Sequence, residues 1–387
     1  MQGFTKKIQD AIKTGIIFFS SLDLKQRLIG GAYISFALAL IFALAVSNGN
    51  ISNRKLYYPP DNYNSNIDAA DFTIGLDIQR INDINLESRS FSAEGWVSLK
   101  WKDLPDWVKS WDPKIHADPV LTLSLANAIN RDDLHLKATP SPPYLDTDGN
   151  YIQWLEFSGS FYIDKINLRK FPFHTIELPI EIEFDDYFAE EVNVRIREMK
   201  SRLIGVKEFS GYSFESENIV HSTKIYQTNF GMAGESSKDN PESLYDNLRY
   251  SLVLKKNGFS SFFLVFMPLL MSMTITFVTP LISPRHYDTK VALPASVLLV
   301  LVFLQQGYQS MMPKHLGYTT FADFAYNLSM SVTILTFLWS LHESNQVLES
   351  QINNKMLKTF RKYNQYFCIA NAIYFACVLT AGWAIVN

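Results

Sequence analysis

Four apolar runs close the chain, at about residues 259–282, 291–311, 320–341 and 366–386. Each is long enough for a helix to cross the roughly 30 Å hydrocarbon core of a bilayer. Lipid offers no partner to backbone N–H and C=O groups, so such runs are confined to helices that satisfy their own backbone. The last third of the chain therefore reads as a membrane bundle. A fifth run, residues 28–47, is uncharged and comes after Lys25 and Arg27. It reads either as a secretory signal with small Ala43 and Ala45 near its end, or as a retained anchor. Both place the residues after it outside the cytoplasm. Residues 4–19 read either as an amphipathic helix on the inner membrane surface or as a solvated leader.

Residues 50–70 are rich in Asn, Pro, Tyr and Ser and read as a linker. From residue 71 the periodicity changes to two. Segments 71–81, 91–101, 151–163, 176–184, 191–199 and 248–255 alternate polar and apolar residues, which predicts half-buried strands. Pro140, Pro142 and Pro143, and the run Asp146–Asn150, read as breaks between them. Short strands at regular spacing predict an all-β sandwich. The chain thus divides into a leader with a signal or anchor helix (1–49), a linker (50–70), a β-sandwich domain (71–256) and a four-helix transmembrane domain (257–387).

The charge is distributed along the same division. Formal net charge is only −3, without the basic excess of a nucleic-acid binder. Residues 48–250 hold 32 acids against 21 bases, whereas both flanks are basic. Arg285 and Lys290 lie in the first gap between the closing runs, and Lys355, Lys358, Arg361 and Lys362 lie in the third. The positive-inside bias puts those gaps in the cytoplasm, and the acidic β domain and Asn387 outside it. The two cysteines, Cys368 and Cys377, share one apolar run and read as small packing groups. No nucleophile–base or metal constellation stands out, so no enzyme, metal or cofactor is expected.

Three stretches resemble the pentameric ligand-gated ion channels, the Cys-loop receptor superfamily, over roughly residues 70–387. In Ile166–His174, residues Arg169, Phe171, Pro172 and Phe173 match the family's signature loop, while His174 stands where the family has Asp. Asp164 and Leu178 stand where eukaryotic members carry the loop cysteines, a pattern similar to the prokaryotic branch. Lys256, twelve residues before Pro268, is similar to the basic residue that precedes the first membrane helix. Asp288–Pro313 looks like the pore-lining second helix.

The resemblance implies a homopentamer in the plasma (inner) membrane, each chain meeting four identical subunits, the lipid bilayer and permeating inorganic ions. It implies a pore face of Ala292, Ser296, Leu299, Phe303, Gln306 and Ser310, spaced to share one side of a helix. Rings of Leu299 and Phe303 would gate by dewetting. Asp288 would favour cations, with an N-cap role compatible; Arg285, His286 and Lys290 nearby would screen or reverse its field. Coupling is expected through Asp83, Arg169, Phe171, Pro172, Phe173, His174, Lys256, Pro313 and Lys314, with Lys314 opposite Asp83. For the ligand site, Trp96, Asp185, Asp186, Tyr187, Tyr226 and Tyr245 are candidates, with Phe230 as a further aromatic. Asp185, Asp186, Glu190 and Glu191 suit a cationic ligand or divalent ion, or form a solvated surface. Proton gating through His174, His221 or His315 stays open. So do an anion-selective channel and a non-conducting sensor of the same fold.

Overall fold

A computed structural model describes residues 70–102, 123–130, 134–184, 188–189, 192–201, 211–226, 243–283, 285–314, 316–349 and 354–386. The leader, and the linker up to residue 69, lie outside the described residues. Among the described residues nine strands precede the helices: β1 (Ala70–Asn85), β2 (Ser90–Trp101), β3 (Leu123–Leu125), β4 (His135–Leu145), β5 (Tyr151–Tyr162), β6 (Thr175–Phe184), β7 (Val192–Ser201), β8 (Tyr212–Tyr226) and β9 (Ser243–Lys256). They form two sheets, ordered β4-β5-β2-β1-β7 and β3-β6-β9-β8. Pairing is antiparallel except between β1 and β7, which run parallel.

Strict alternation builds the core between the sheets. Every second residue of β2 is buried, as a strand with one inward face requires. Phe72, Ile74, Leu76 and Ile78 of β1 join Ile176, Leu178, Ile180 and Ile182 of β6 in one apolar cluster. The Phe72 and Phe184 rings meet across the gap at 5.3 Å. Each such side chain, fully buried, contributes about 1.5–3 kcal/mol.

One break expected from the sequence is not a break. Pro140, Pro142 and Pro143 lie inside β4, where the pairing with β5 slips between Thr139 and Tyr144. Proline cannot donate to a ladder, but β4 is an edge strand with an irregular register, and that position tolerates it. Strands β3 and β8 have no counterpart among the six alternating segments. Half-exposed β8 mixes polar and apolar residues on both faces, so its period is faint.

Among the described residues four helices come next, each long and apolar enough to cross a membrane: α1 (Gly258–Leu281), α2 (Tyr287–Gln309), α3 (Phe321–Glu349) and α4 (Asn354–Val386). Helix α1 starts where Asn257 Oδ1 accepts from the Phe259 and Ser260 amides. It widens to a π turn over Phe262–Phe266, just ahead of Pro268. Proline lacks an N–H to continue the ladder, and a wide turn accommodates the gap. Helix α3 carries a buried column of hydroxyls, Ser329, Thr333, Thr336, Ser340 and Ser344. Each donates to the carbonyl one turn earlier, so the column is satisfied without water. Helices α3 and α4 extend past the apolar runs at 341 and 366, because polar turns continue the helix beyond the lipid-length segment.

Candidate functional site

The loop between β5 and β6 joins the two halves of the molecule. Leu168 and Phe171 are buried among residues of the helical bundle, not of the sandwich. The loop's backbone is tied to the helices from both sides. The Phe321 and Ala322 amides, at the start of α3, donate to the Arg169 and Phe171 carbonyls at 2.8 and 3.2 Å. The Tyr318 hydroxyl accepts from the Leu168 amide at 2.9 Å and donates to the Ile166 carbonyl at 3.2 Å. The Arg169 guanidinium sits over the Tyr318 ring at 5.5 Å. Beyond a bond that is cis at Pro172, the aromatic rings fan outward. Phe171 stacks on Tyr308 of α2 at 6.2 Å, and Phe173 contacts Phe266 of α1 and Trp383 of α4. The rings of the apolar knob expected from Phe171-Pro172-Phe173 therefore touch α1, α2 and α4, and its backbone is bonded to α3.

His174 lies behind that knob and is almost wholly buried. Its ring stacks on Phe171 at 5.4 Å, and its Nε2 shares a 3.2 Å hydrogen bond with the Tyr212 hydroxyl of β8. Lys256, at the end of β9, places its ammonium 4.1 Å from the Tyr212 ring centre. Burial, reinforced by the Lys256 charge, pushes His174 down to about 4, with the Pro172 carbonyl pulling weakly the other way. Burial alone pushes the Tyr212 hydroxyl up to about 12. A depressed histidine favours the fold while neutral. Its contribution is fully present above the ordinary value of 6.5 and is lost as pH falls toward 4. Acidification through that window is expected to cost on the order of 3 kcal/mol at this position. His174→Phe should flatten that part of a melting-temperature profile against pH, and an unchanged profile would show that another group carries the acid sensitivity.

At the base of the same loop, Asp164 binds Arg249 of β9 through two oxygens, at 3.0 and 2.8 Å. Arg249 is nearly buried and also reaches Glu181 and Glu177. Burial raises Asp164, but the guanidinium outweighs it and holds the carboxyl below its ordinary value. Sequence reasoning missed this cluster. Alternate acids on β6 were the available signal, but their basic partner lies 68 residues from Glu181.

Helix α2 is the least covered of the four, with 22% of its apolar window buried against 28–50% for the others. Its buried residues are Lys290, Pro294, Val297, Leu301 and Tyr308. At 3.6 residues per turn, Asp288, Ala292, Ser296, Leu299, Phe303, Gln306 and Ser310 centre on the opposite side. All seven are exposed in the single chain, Leu299 and Phe303 by 59% and 62%. Asp288 sits in the first turn, but the cap position belongs to His286.

Lys290 does not join that exposed face. It is fully buried, and its Nζ donates to Glu343 Oε2 of α3 at 2.6 Å and to the Pro280 and Ile282 carbonyls. Asn364 of α4 donates to both Glu343 oxygens and accepts from the Trp339 indole. The Lys290 charge is thereby paired with Glu343 inside the bundle. Lys314 is likewise not paired with Asp83. Its ammonium lies 3.6 Å from Glu87, in the same β1–β2 turn, and both groups are largely exposed. Such a pair contributes under about 1 kcal/mol. Pro313 is buried beside it, at the end of α2.

Of the ligand-site candidates, Tyr226 and Tyr245 come together, their rings 5.5 Å apart and edge-on. Phe188 adds a third ring, 5.5 Å from Tyr245, and the Lys224 ammonium lies 5.2 Å over Tyr226. Tyr226 also donates to Glu183 at 2.9 Å. Trp96 lies on β2 in the other sheet, against Trp154, so one chain does not bring it to the tyrosines. His221 bonds Asp246 at 2.6 Å. Asp185, Asp186, Tyr187, Glu190, Glu191, Phe230 and His315 lie outside the described residues.

The chain matches no family model and no curated protein.

Proposed function

We propose that the chain is one subunit of a homopentameric, ligand-gated, cation-conducting channel of the Cys-loop receptor superfamily. The observation that carries this is the uncovered stripe of α2. A membrane helix that buries a lysine and exposes an ordered run of small, apolar and polar residues needs a partner surface or water on that side. Five copies around an axis would turn the stripe inward. Asp288 would then ring one mouth, and Leu299 and Phe303 would form a constriction that excludes water when narrow. Basic residues flanking α1–α2 and at the start of α4 favour an external β domain. Its acidic surface would concentrate cations above the mouth. The sandwich would bind a ligand between subunits, near Tyr226 and Tyr245 of one and Trp96 of the next, and the docked 166–174 loop would pass the change to α2. The protein moves ions and converts no substrate.

Purified protein in a planar bilayer tests this. Unitary currents are expected, with a reversal potential in asymmetric salt that tracks the cation gradient. Leu299→Ser should raise the ligand-free open fraction roughly ten- to a hundredfold, because sealing a leucine away from water is worth about 1.5–3 kcal/mol. Asp288→Asn should move the reversal potential toward zero. Silence under every ligand and pH would point instead to a non-conducting sensor.

A further inference from the structure

A cavity of about 570 Å³ opens where the sandwich meets the helices, within the size range of small-molecule sites. Its floor is apolar, formed by Leu264 and Val265 of α1 and Met311 after α2. Its back wall is the docked loop, through Phe171 and His174. Besides the buried Nδ1 of His174, which makes no hydrogen bond, two polar groups on that lining lack the partners expected of them. Ser261 is 3% exposed, yet its hydroxyl has no hydrogen-bond partner. Serines deeper in the bundle donate to the carbonyl one turn back, whereas Ser261 does not. Native proteins supply a partner to nearly every buried hydroxyl. Lys256 is the cavity's cation; it rests on the Tyr212 ring and forms no ion pair among the described residues. Burial already holds its ammonium below the ordinary lysine value, so an anion beside it would be welcome.

We infer that this cavity binds an amphiphile with a singly charged anionic head. The head would sit between the Lys256 ammonium and the Ser261 hydroxyl, accepting from both. The acyl chain would lie along Leu264, Val265 and Met311, where α1 enters the bilayer. Asp83, also on the lining, repels a doubly charged head more than a singly charged one, which favours a carboxylate or phosphodiester over a phosphate dianion. The occupant would touch Phe171 and His174, so its binding energy would favour whichever arrangement of the docked loop keeps the cavity open. The inference rests on the geometry of one chain and does not require the channel assignment.

Photolabelling tests it on the full-length protein in uncharged detergent, with a diazirine-bearing dodecanoate as probe. Label is expected on the peptide that contains Ser261 and Leu264. Dodecanoate should displace it, while dodecanol and acetate should not. Lys256→Gln should weaken displacement about tenfold, as loss of a charge-assisted hydrogen bond predicts. Leu264→Trp, which alters an exposed side chain and fills the cavity, should abolish labelling without touching the fold. Displacement by phosphatidylglycerol as well as dodecanoate would assign the site to membrane lipid; displacement by dodecanoate alone would assign it to free fatty acid. Labelling unchanged in both variants, or equal displacement by dodecanol or by acetate, would overturn the inference. Because the readout is binding, it can fail while currents are seen, and currents can be absent while it succeeds.

Discussion

Glu343→Ala is expected to destabilise the folded protein by about 3–5 kcal/mol, the cost of leaving a buried charge without its partner. Lys290 and Glu343 are 0% and 2% exposed, and every hydrogen-bonding site around them is used. The ammonium has a carboxylate and two carbonyls; the carboxylate has the ammonium and the Asn364 amide. Removing the acid alone strands the ammonium in a fully buried position. Replacing both, as Lys290→Met with Glu343→Leu, removes the charges together and should lie within about 1–2 kcal/mol of the parent. Denaturant titration of the two variants in detergent separates these outcomes. Equal losses in the single and double variants would mean that the stranded ammonium is not the source of the loss. The pair also holds the first turns of α2 against α3, two residues from Asp288.

Phe171→Ala is expected to cost about 3–5 kcal/mol, the usual range for truncating a buried phenylalanine. The ring fills the space between His174 and Tyr308, so the loss falls on the joint between the sandwich and α2. The backbone bonds from Phe321 and Ala322 would remain, so the loop should stay docked but loose. Phe263→Ala, on the exposed side of α1, provides the comparison and should change stability by less than about 1 kcal/mol. Under the proposed channel function, Phe171→Ala in bilayers should weaken the response to ligand while leaving single-channel conductance intact, because none of the proposed pore residues has changed. A variant as stable as the parent would show that the knob is not packed as described.

Much of the architecture was legible in the residues. The six alternating segments are strands because a sheet with one buried face demands period two. The stripe from Ala292 to Ser310 was implied by the family resemblance, and its steps of three and four keep it on one helix face whatever surrounds it. The Phe171-Pro172-Phe173 knob was legible as a rigid apolar turn. Other features were not. Strand β4 was hidden because its prolines read as a break, and only its edge position excuses them. The partner of Lys290 lies 53 residues away on another helix, and that of Lys314 proved to be Glu87 where Asp83 was expected. Side-chain reach and turn geometry decide such pairs, and neither has a local signature.

By itself the sequence determined the order of the parts: period-two strands, then lipid-length helices, with acid and base distributed to match. Those properties depend on spacing along the chain, which hydrophobicity and backbone geometry translate directly into elements. Only the tertiary structure decided which charges meet. It buried Lys290 against Glu343 and Arg249 against Asp164, and turned Asp288 outward. It also left Lys256 and Ser261 facing a cavity whose other walls come from as far away as Asp83 and Met311. Charge pairing and cavities arise from packing across elements, where a shift of a few ångströms changes the partner and no local pattern records it.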